Sequence, residues 1–150
     1  MSDEDLPEPQ KDAEIKLPAD YAPREDEPFM GPMQQAYFRK KLTDWRDELA
    51  HDVQETLNEL KADSLHEADM ADRASSEEGW GLHMRKRDRQ RKLTSKINAA
   101  LRRLDRGEYG YCEVTGEPIS LKRLDARPIA TMTVDAQEAH ERAEKVSRDQ

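Results

Sequence analysis

The feature that most constrains this chain is a long stretch without proline or glycine in which apolar residues recur every three or four positions. No Pro or Gly interrupts residues 33–78. The apolar residues follow steps of four, three, four, four, four and three: Phe38, Leu42, Trp45, Leu49, Val53, Leu57 and Leu60. This spacing is typical of a coiled-coil seam, because it keeps one apolar stripe on one side of a helix. The stretch therefore predicts one long helix that needs a partner along its length.

A second, shorter seam follows in the same chain. Leu93, Ile97, Ala100 and Leu104 are spaced by four, three and four residues. Two seams in one small chain bury each other most economically as an antiparallel helical hairpin, which leaves the chain a monomer. The predicted fold is mainly α, with a long antiparallel coiled-coil hairpin over 33–107 and its tip near 63–75. An arm of about 30 residues spans roughly 45–50 Å, so we expect a projecting rod.

The segment after Gly107 has a different pattern. Two short runs, 109–113 and 119–121, flank a turn-forming stretch at 114–118 and predict a β-hairpin. A brief extended run at 129–134 follows, and Asp135, with Glu138 three residues later, has the form of a helix N-cap. We therefore expect a small α+β globular base at 108–134 and a C-terminal helix at 135–150.

Charge is distributed unevenly along the chain. Residues 1–32 hold six of the eight prolines and ten acidic against three basic residues, which is typical of an extended or disordered segment. Residues 85–106 reverse the balance, with ten basic residues against two acidic ones. Two interpretations of this basic helix remain open, a solvated face or a surface that binds an anion or a partner.

Several classes of protein are excluded or disfavoured. A single cysteine excludes a disulfide framework and an all-cysteine zinc site. No run approaches the roughly 18 apolar residues of a membrane span, and the acidic start is unlike a secretory signal, so we expect no membrane association and a cytoplasmic protein. The sequence has no Gly-rich phosphate loop, nucleophile–base pair or metal cluster, which argues against an enzyme.

Nucleic-acid binding through the basic helix at 85–106 is an alternative function. Proteins that bind single strands interleave aromatic residues with basic ones, and this run contains no aromatic residue. The acidic chain, with a pI of about 5.1, also repels phosphate at long range.

Four motifs together carry a resemblance to a known family. They are Arg-Lys-Arg-Asp-Arg-Gln-Arg-Lys-Leu at 85–93, Gly-Glu-Tyr-Gly-Tyr-Cys-Glu at 107–113, Arg-Leu-Asp-Ala-Arg-Pro at 123–128, and Asp-x-x-Asp-x-Ala at 69–74. In this order they resemble the DksA/TraR family of bacterial RNA-polymerase-binding transcription factors, over about residues 33–147. The resemblance implies a coiled-coil hairpin that enters the secondary channel of RNA polymerase. It also implies that the protein acts with the alarmone ppGpp on transcription initiation in the stringent response, without reading DNA sequence.

The resemblance also assigns residues. At the tip, Asp69, Asp72 and Ala74 match the positions that contact the mobile catalytic elements of the polymerase. Without the resemblance, the two aspartates are ordinary loop and cap residues.

Further matching positions concern ppGpp. Those on the factor side are Leu93, Lys96 and Arg127, with Arg89 and Arg123 as nearby polymerase-facing candidates. Gln137 stands where the family often has a lysine, which removes one charge from the predicted site. From sequence alone, Lys96 is equally well an exposed helix lysine.

The clearest departure from the family is at its four-cysteine zinc site. Only Cys112 remains, and Thr115, Thr133 and Ala136 occupy the other three positions. Since tetrahedral zinc needs four convergent donors, we expect a degenerate zinc-finger-like knob that binds no zinc. Apolar packing must then replace the metal, and the available side chains are Tyr109, Tyr111, Ile119, Leu121, Leu124 and Val134.

Overall fold

The structure, a computed structural model, describes residues 16–69 and 73–149, and their side chains outside 66–77. Its four helices are α1 (Pro32–Asp69), α2 (Arg73–Asp105), α3 (Leu121–Ala126) and α4 (Val134–Arg148). The chain divides into a hairpin unit, Thr43–Ala99, and a terminal unit that combines 16–42 with 100–149. None of the described helices is long and apolar enough to cross a membrane.

The hairpin unit is an antiparallel pair formed by α1 and α2. Thr56 contacts Gln90, with 3.2 Å between Thr56 Oγ1 and Gln90 Nε2. About two turns further along α1, Asp63 Oδ2 lies 2.8 Å from Nε2 of His83. Residues later in α1 thus contact residues earlier in α2, so the two helices are antiparallel. The predicted coiled-coil hairpin is confirmed.

The predicted tip is shorter in the structure than in the sequence analysis. Helix α1 continues to Asp69 and α2 begins at Arg73, so only 70–72 separate them, and these three residues lie outside the described ones. The helices extend into the predicted tip because 63–75 contain no Pro or Gly to end them.

The seam of the hairpin differs from the predicted one at several positions. Trp45, Val53, Leu57 and Leu93 are only half-buried. The residues buried in the hairpin unit are Leu49, Leu60 and Ile97, as predicted, together with Thr56 and Gln90, which were not predicted. Leu49 and Thr56 on α1, like Gln90 and Ile97 on α2, are seven residues apart, which is the repeat of a coiled coil. The repeat thus places one polar residue of each helix, Thr56 and Gln90, inside the hairpin.

The core of the terminal unit is built around Tyr109, which is only 2 % exposed. Its ring lies 5.5 Å from that of Phe38 on α1, and its hydroxyl donates to the carbonyl oxygen of Pro128 at 2.8 Å. Burial raises the pKa of the Tyr109 phenol. The smaller effects of Arg103, which lowers the pKa, and of Asp125, which raises it, oppose each other.

The packing set predicted to replace the metal is correct for four of its six members. Ile119, Leu121 and Leu124 are buried with Tyr109. Tyr111 is 40 % exposed and Val134 is 48 % exposed.

The predicted β-hairpin at 109–121 is reduced to one isolated bridge between Tyr111 and Pro118. Leu121 does not continue a strand but begins α3, because the side chain of Ser120 caps that helix by accepting a hydrogen bond from the backbone N–H of Arg123.

Helix α4 begins earlier than predicted. Its N-cap is Thr133 and not Asp135, since the Thr133 hydroxyl accepts from the backbone N–H of Ala136 at 3.2 Å. Asp135 lies in the first turn of the helix, where a negative charge is favoured by the helix dipole.

Residues 16–31 form turns and pack within the terminal unit, which differs from the expectation of an extended or disordered segment for 1–32. The hydroxyl of Tyr21 donates to the Glu27 carboxylate at 3.0 Å, and the ring of Phe29 lies 5.4 Å from that of Tyr111.

Gly110 has φ +91°, and a Cβ there would lie 3.0 Å from Met30 Cε. A glycine at 110 is therefore needed both for the backbone and for the contact with Met30. Residues 1–15 lie outside the described part of the chain.

Candidate functional site

Three of the predicted contact residues form a row on one face of α2 in the hairpin unit. Arg89, Leu93 and Lys96 follow each other at four and three residues, which places them on the same side of the helix. Arg89 and Lys96 are exposed and Leu93 is half-buried. The row therefore presents two cations around a partly accessible apolar side chain.

Neighbouring cations of α2 are engaged within the hairpin unit. Lys86 Nζ lies 4.0 Å from Glu59 Oε2, and Arg91 pairs with Asp88 at 3.5 Å. Neither Arg89 nor Lys96 forms an ion pair with another residue that the structure describes. These two charges are accordingly available to a partner.

The other two predicted contact residues belong to α3 and its C-terminal end, in the terminal unit. Arg127 is the C-cap of α3 and is exposed. Arg123 is half-buried, and its Nε donates to the carbonyl oxygen of Met132 at 2.9 Å. Arg123 thus ties α3 to the segment before α4, a role that sequence reasoning missed.

A cluster that the sequence did not indicate anchors α3 to α1. The Asp125 carboxylate accepts a hydrogen bond from the Tyr37 hydroxyl at 2.5 Å and pairs with Lys41 Nζ at 2.6 Å. The hydrogen bond to Asp125, aided by burial, raises the pKa of Tyr37 to about 12. The hydrogen bond from Lys41, and to a smaller extent that from Tyr37, lowers the pKa of the Asp125 carboxyl. Because Asp125 lies two residues before Arg127, this cluster fixes the end of the helix from which Arg127 projects.

The predicted tip residues fall at the limit of what the structure describes. Asp69 is the last residue of α1, and Ala74 is the second residue of α2, but their side chains are not described. Asp72 lies outside the described residues. Their assignment stays a prediction.

Cys112 lies in a tight turn of the terminal unit. Its carbonyl oxygen accepts from the N–H of Gly116 at 2.9 Å, and its own N–H donates to the Glu117 carbonyl at 2.8 Å. Burial raises the pKa of the thiol, but hydrogen bonds from the Thr115 hydroxyl and from the backbone of Thr115, Thr133 and Val114 outweigh burial and lower the pKa to about 6. These hydrogen bonds favour the thiolate form of Cys112.

The donor set at the four positions does not fit a structural zinc ion. Cys112 supplies one thiolate, whereas the methyl group of Ala136 supplies no donor. The hydroxyl of Thr133 accepts from Ala136 in capping α4 and donates to Cys112 Sγ at 4.0 Å, and a neutral hydroxyl is not among the usual ligands of zinc. His140, the nearest histidine in sequence, is on α4 and pairs with Glu144 at 3.0 Å.

Comparisons with known proteins cover nearly the whole described chain. The family model for the N-terminal domain of the DnaK suppressor protein DksA matches residues 34–104. The model for the prokaryotic dksA/traR C4-type zinc finger matches residues 107–142.

Named relatives and a solved structure agree with these models. The RNA polymerase-binding transcription factor DksA of Caulobacter vibrioides is 57 % identical over 131 residues, covering 87 % of this chain and 92 % of the relative. The factor of the same name from Escherichia coli K12 is 37 % identical over 125 residues, covering 83 % of each. The structure of transcription factor DksA2 from Pseudomonas aeruginosa superimposes with a TM-score of 0.74 at 42 % identity, covering 78 % of this chain and 90 % of that one.

The chemistry of the donor set predicts that the terminal unit folds without zinc. Elemental analysis of the purified protein is expected to find far less than one zinc per chain. A chelator such as EDTA is expected to leave the thermal midpoint unchanged, because no metal contributes to folding. Stoichiometric zinc together with unfolding on chelation would contradict this prediction.

Proposed function

Because the chain belongs to the DksA family, we propose that it is a transcription factor that binds RNA polymerase and regulates transcription initiation. The single observation that carries this proposal is the 57 % identity, over 87 % of the chain, to a factor named for polymerase binding. The protein acts as a cytoplasmic monomer, has no catalytic activity of its own and does not read DNA sequence.

The hairpin enters the secondary channel of the polymerase in this proposal. The segments of α1 and α2 in the hairpin unit, Thr43–Asp69 and Arg73–Ala99, are each about 40 Å long at about 1.5 Å per residue. No other helix of the described chain belongs to that unit. Such a slender pair suits insertion into a channel too narrow for a globular domain.

The alarmone ppGpp is the proposed effector, and it binds where the factor meets the polymerase. Its phosphates need guanidinium and ammonium groups that are not already neutralised. Lys96 and Arg127 are exposed, and no ion pair is recorded for either within the described residues, so they are the main contributors from this chain. Leu93 lies on the same face of α2 as Lys96 and is the third factor-side residue of this site, and Arg89 and Arg123 are the polymerase-facing candidates.

Gln137 weakens this site relative to a lysine at the same position. Its amide donates to Glu141 Oε1 at 3.0 Å within α4, so the side chain is engaged locally. The response to ppGpp therefore depends on fewer cations.

Retention of polymerase after nuclease treatment tests the proposed function. The tagged protein is expected to capture polymerase subunits from a bacterial lysate whether or not nucleic acid has been digested. Capture that disappears after nuclease treatment would contradict direct polymerase binding and favour nucleic-acid binding through the basic helix at 85–106.

Replacing Lys96 or Arg127 by Ala is expected to weaken the effect of ppGpp while leaving polymerase binding intact. Each loses charge-assisted hydrogen bonds to phosphate, typically ~1.5–3 kcal/mol, which corresponds to roughly tenfold or more in the ppGpp concentration required. The measurement is a ppGpp titration of transcription from a sensitive promoter. Arg91→Ala is the control, because Arg91 lies on another side of α2 and pairs with Asp88. Normal responses of both variants would reject the assignment.

Changing Asp69 and Asp72 together to Asn is expected to separate binding from activity. A specific interface needs about 800 Å² per partner, which two carboxylates cannot supply, so the double variant should still compete with the unchanged protein for polymerase. It should nevertheless fail to alter transcription, because the two charges act at the catalytic elements. Enlarging Ala74 to a bulky residue is expected to have the same effect by steric conflict.

Glu78→Gln serves as the control for the tip, since Glu78 is exposed on α2 and lies outside the motif. Loss of competition in step with loss of activity, or full activity of the double variant, would refute the separation.

A further inference from the structure

A polar pair is buried where the hairpin unit would be expected to have apolar side chains. Thr56 has no exposed surface and Gln90 is only 8 % exposed. Gln90 Nε2 donates to Thr56 Oγ1 at 3.2 Å, and the Thr56 hydroxyl donates to the carbonyl oxygen of Asp52 at 3.0 Å. Gln90 Oε1 is buried without a hydrogen-bond partner among the described residues. Burying these groups is costly, so the arrangement requires an explanation.

The sequence offers an apolar alternative to this pair. Leu57 follows Thr56 directly, and Leu93 lies three residues after Gln90, yet both leucines are only half-buried. A modest rotation of each helix about its axis, by less than the 100° between consecutive residues, would exchange Thr56 for Leu57 and Gln90 for Leu93 in the seam. The hydrophobic effect alone favours the rotated arrangement. The hydrogen bond between the two polar side chains is present only in the observed one.

Of the two ways in which α1 and α2 could shift against each other, sliding and rotation about the helix axes, only rotation is left largely unrestricted. Only residues 70–72 connect α1 to α2, so the helices cannot slide far along each other. A polar residue at one seam position is known to specify the pairing of coiled-coil helices at some expense in stability.

We propose that the Thr56–Gln90 hydrogen bond selects the rotational phase of α2 against α1 and thereby turns Arg89 and Lys96 outwards. These two cations flank Leu93 at four and three residues. If α2 turned to bury Leu93, Arg89 and Lys96 would turn towards the seam with it. Thr56 and Gln90 are thus positioning residues, and the consequence for polymerase and ppGpp rests on the function proposed above.

Thr56→Val and Thr56→Ser form a matched pair of variants. They test, in the absence of polymerase, whether the hydrogen bond sets the rotational phase of α2 against α1. Valine has the shape of threonine but no hydroxyl, whereas serine keeps the hydroxyl. A cysteine introduced as Arg89→Cys reports accessibility through its rate of labelling by N-ethylmaleimide, resolved by mass spectrometry from Cys112, which is 3 % exposed. Thr56→Val is expected to slow labelling at position 89 about fivefold, and Thr56→Ser to leave it unchanged.

Ser95→Cys is the control probe, because Ser95 is exposed on the other flank of α2 and stays exposed after the rotation. A folded Thr56→Val variant that labels at the original rate at position 89 would overturn the proposal. If Thr56→Val unfolds, Gln90→Ala decides in the same way, since alanine removes the hydrogen bond to Thr56 without placing a large apolar side chain in the seam.

A functional measurement then tests the consequence. Thr56→Val is expected to stay helical, to melt within a few degrees of the unchanged protein, and to lose most of its response to ppGpp on polymerase, whereas Thr56→Ser retains that response. Slowed labelling combined with a full response would overturn the link between phase and function. Failure of the unchanged protein to bind polymerase would instead reject the proposed function and leave the labelling result standing.

Discussion

The burial of Tyr109 is the interaction on which the terminal unit depends. Its ring packs on Phe38 of α1 and its hydroxyl reaches Pro128, so one side chain joins the first helix to the turn after α2 and to the segment after α3. Burying an aromatic side chain contributes roughly 1.5–3 kcal/mol. With Ile119 and Leu124, which have no exposed surface, this packing holds the terminal unit together.

Most of the fold could be predicted from the sequence because α1 and α2 are long and periodic. The details that failed are local choices between neighbours. Periodicity could not choose between Thr56 and Leu57, because adjacent residues differ by only 100° around the helix. Helix α3 has six residues, too few to show a period, and its one local signal was Ser120 before Leu121. Thr133 and Asp135 are both good N-caps, and only the structure distinguishes them.

The candidate site was predictable only as far as short motifs reach. Arg89, Lys96 and Arg127 were identified by motif, and their exposure agrees with a role in binding a partner. The contacts of Asp125 with Tyr37 and Lys41 join residues that are 88 and 84 positions apart, and no local pattern signals such a contact. The motifs therefore indicate candidate cations, of which Arg123 proves half-buried, but not which side chains hold them in place.

The capping role of Thr133 works against building a four-cysteine zinc site in this chain. Four cysteines at these positions would require replacing this threonine, and removing an N-cap typically costs about 1 kcal/mol. A zinc ion repays such losses only when all its ligands are present. Each cysteine introduced singly would therefore weaken α4 or add a thiol without a metal to bind, and stability would increase only with the last one. The cap at Thr133 thus opposes stepwise introduction of a metal site.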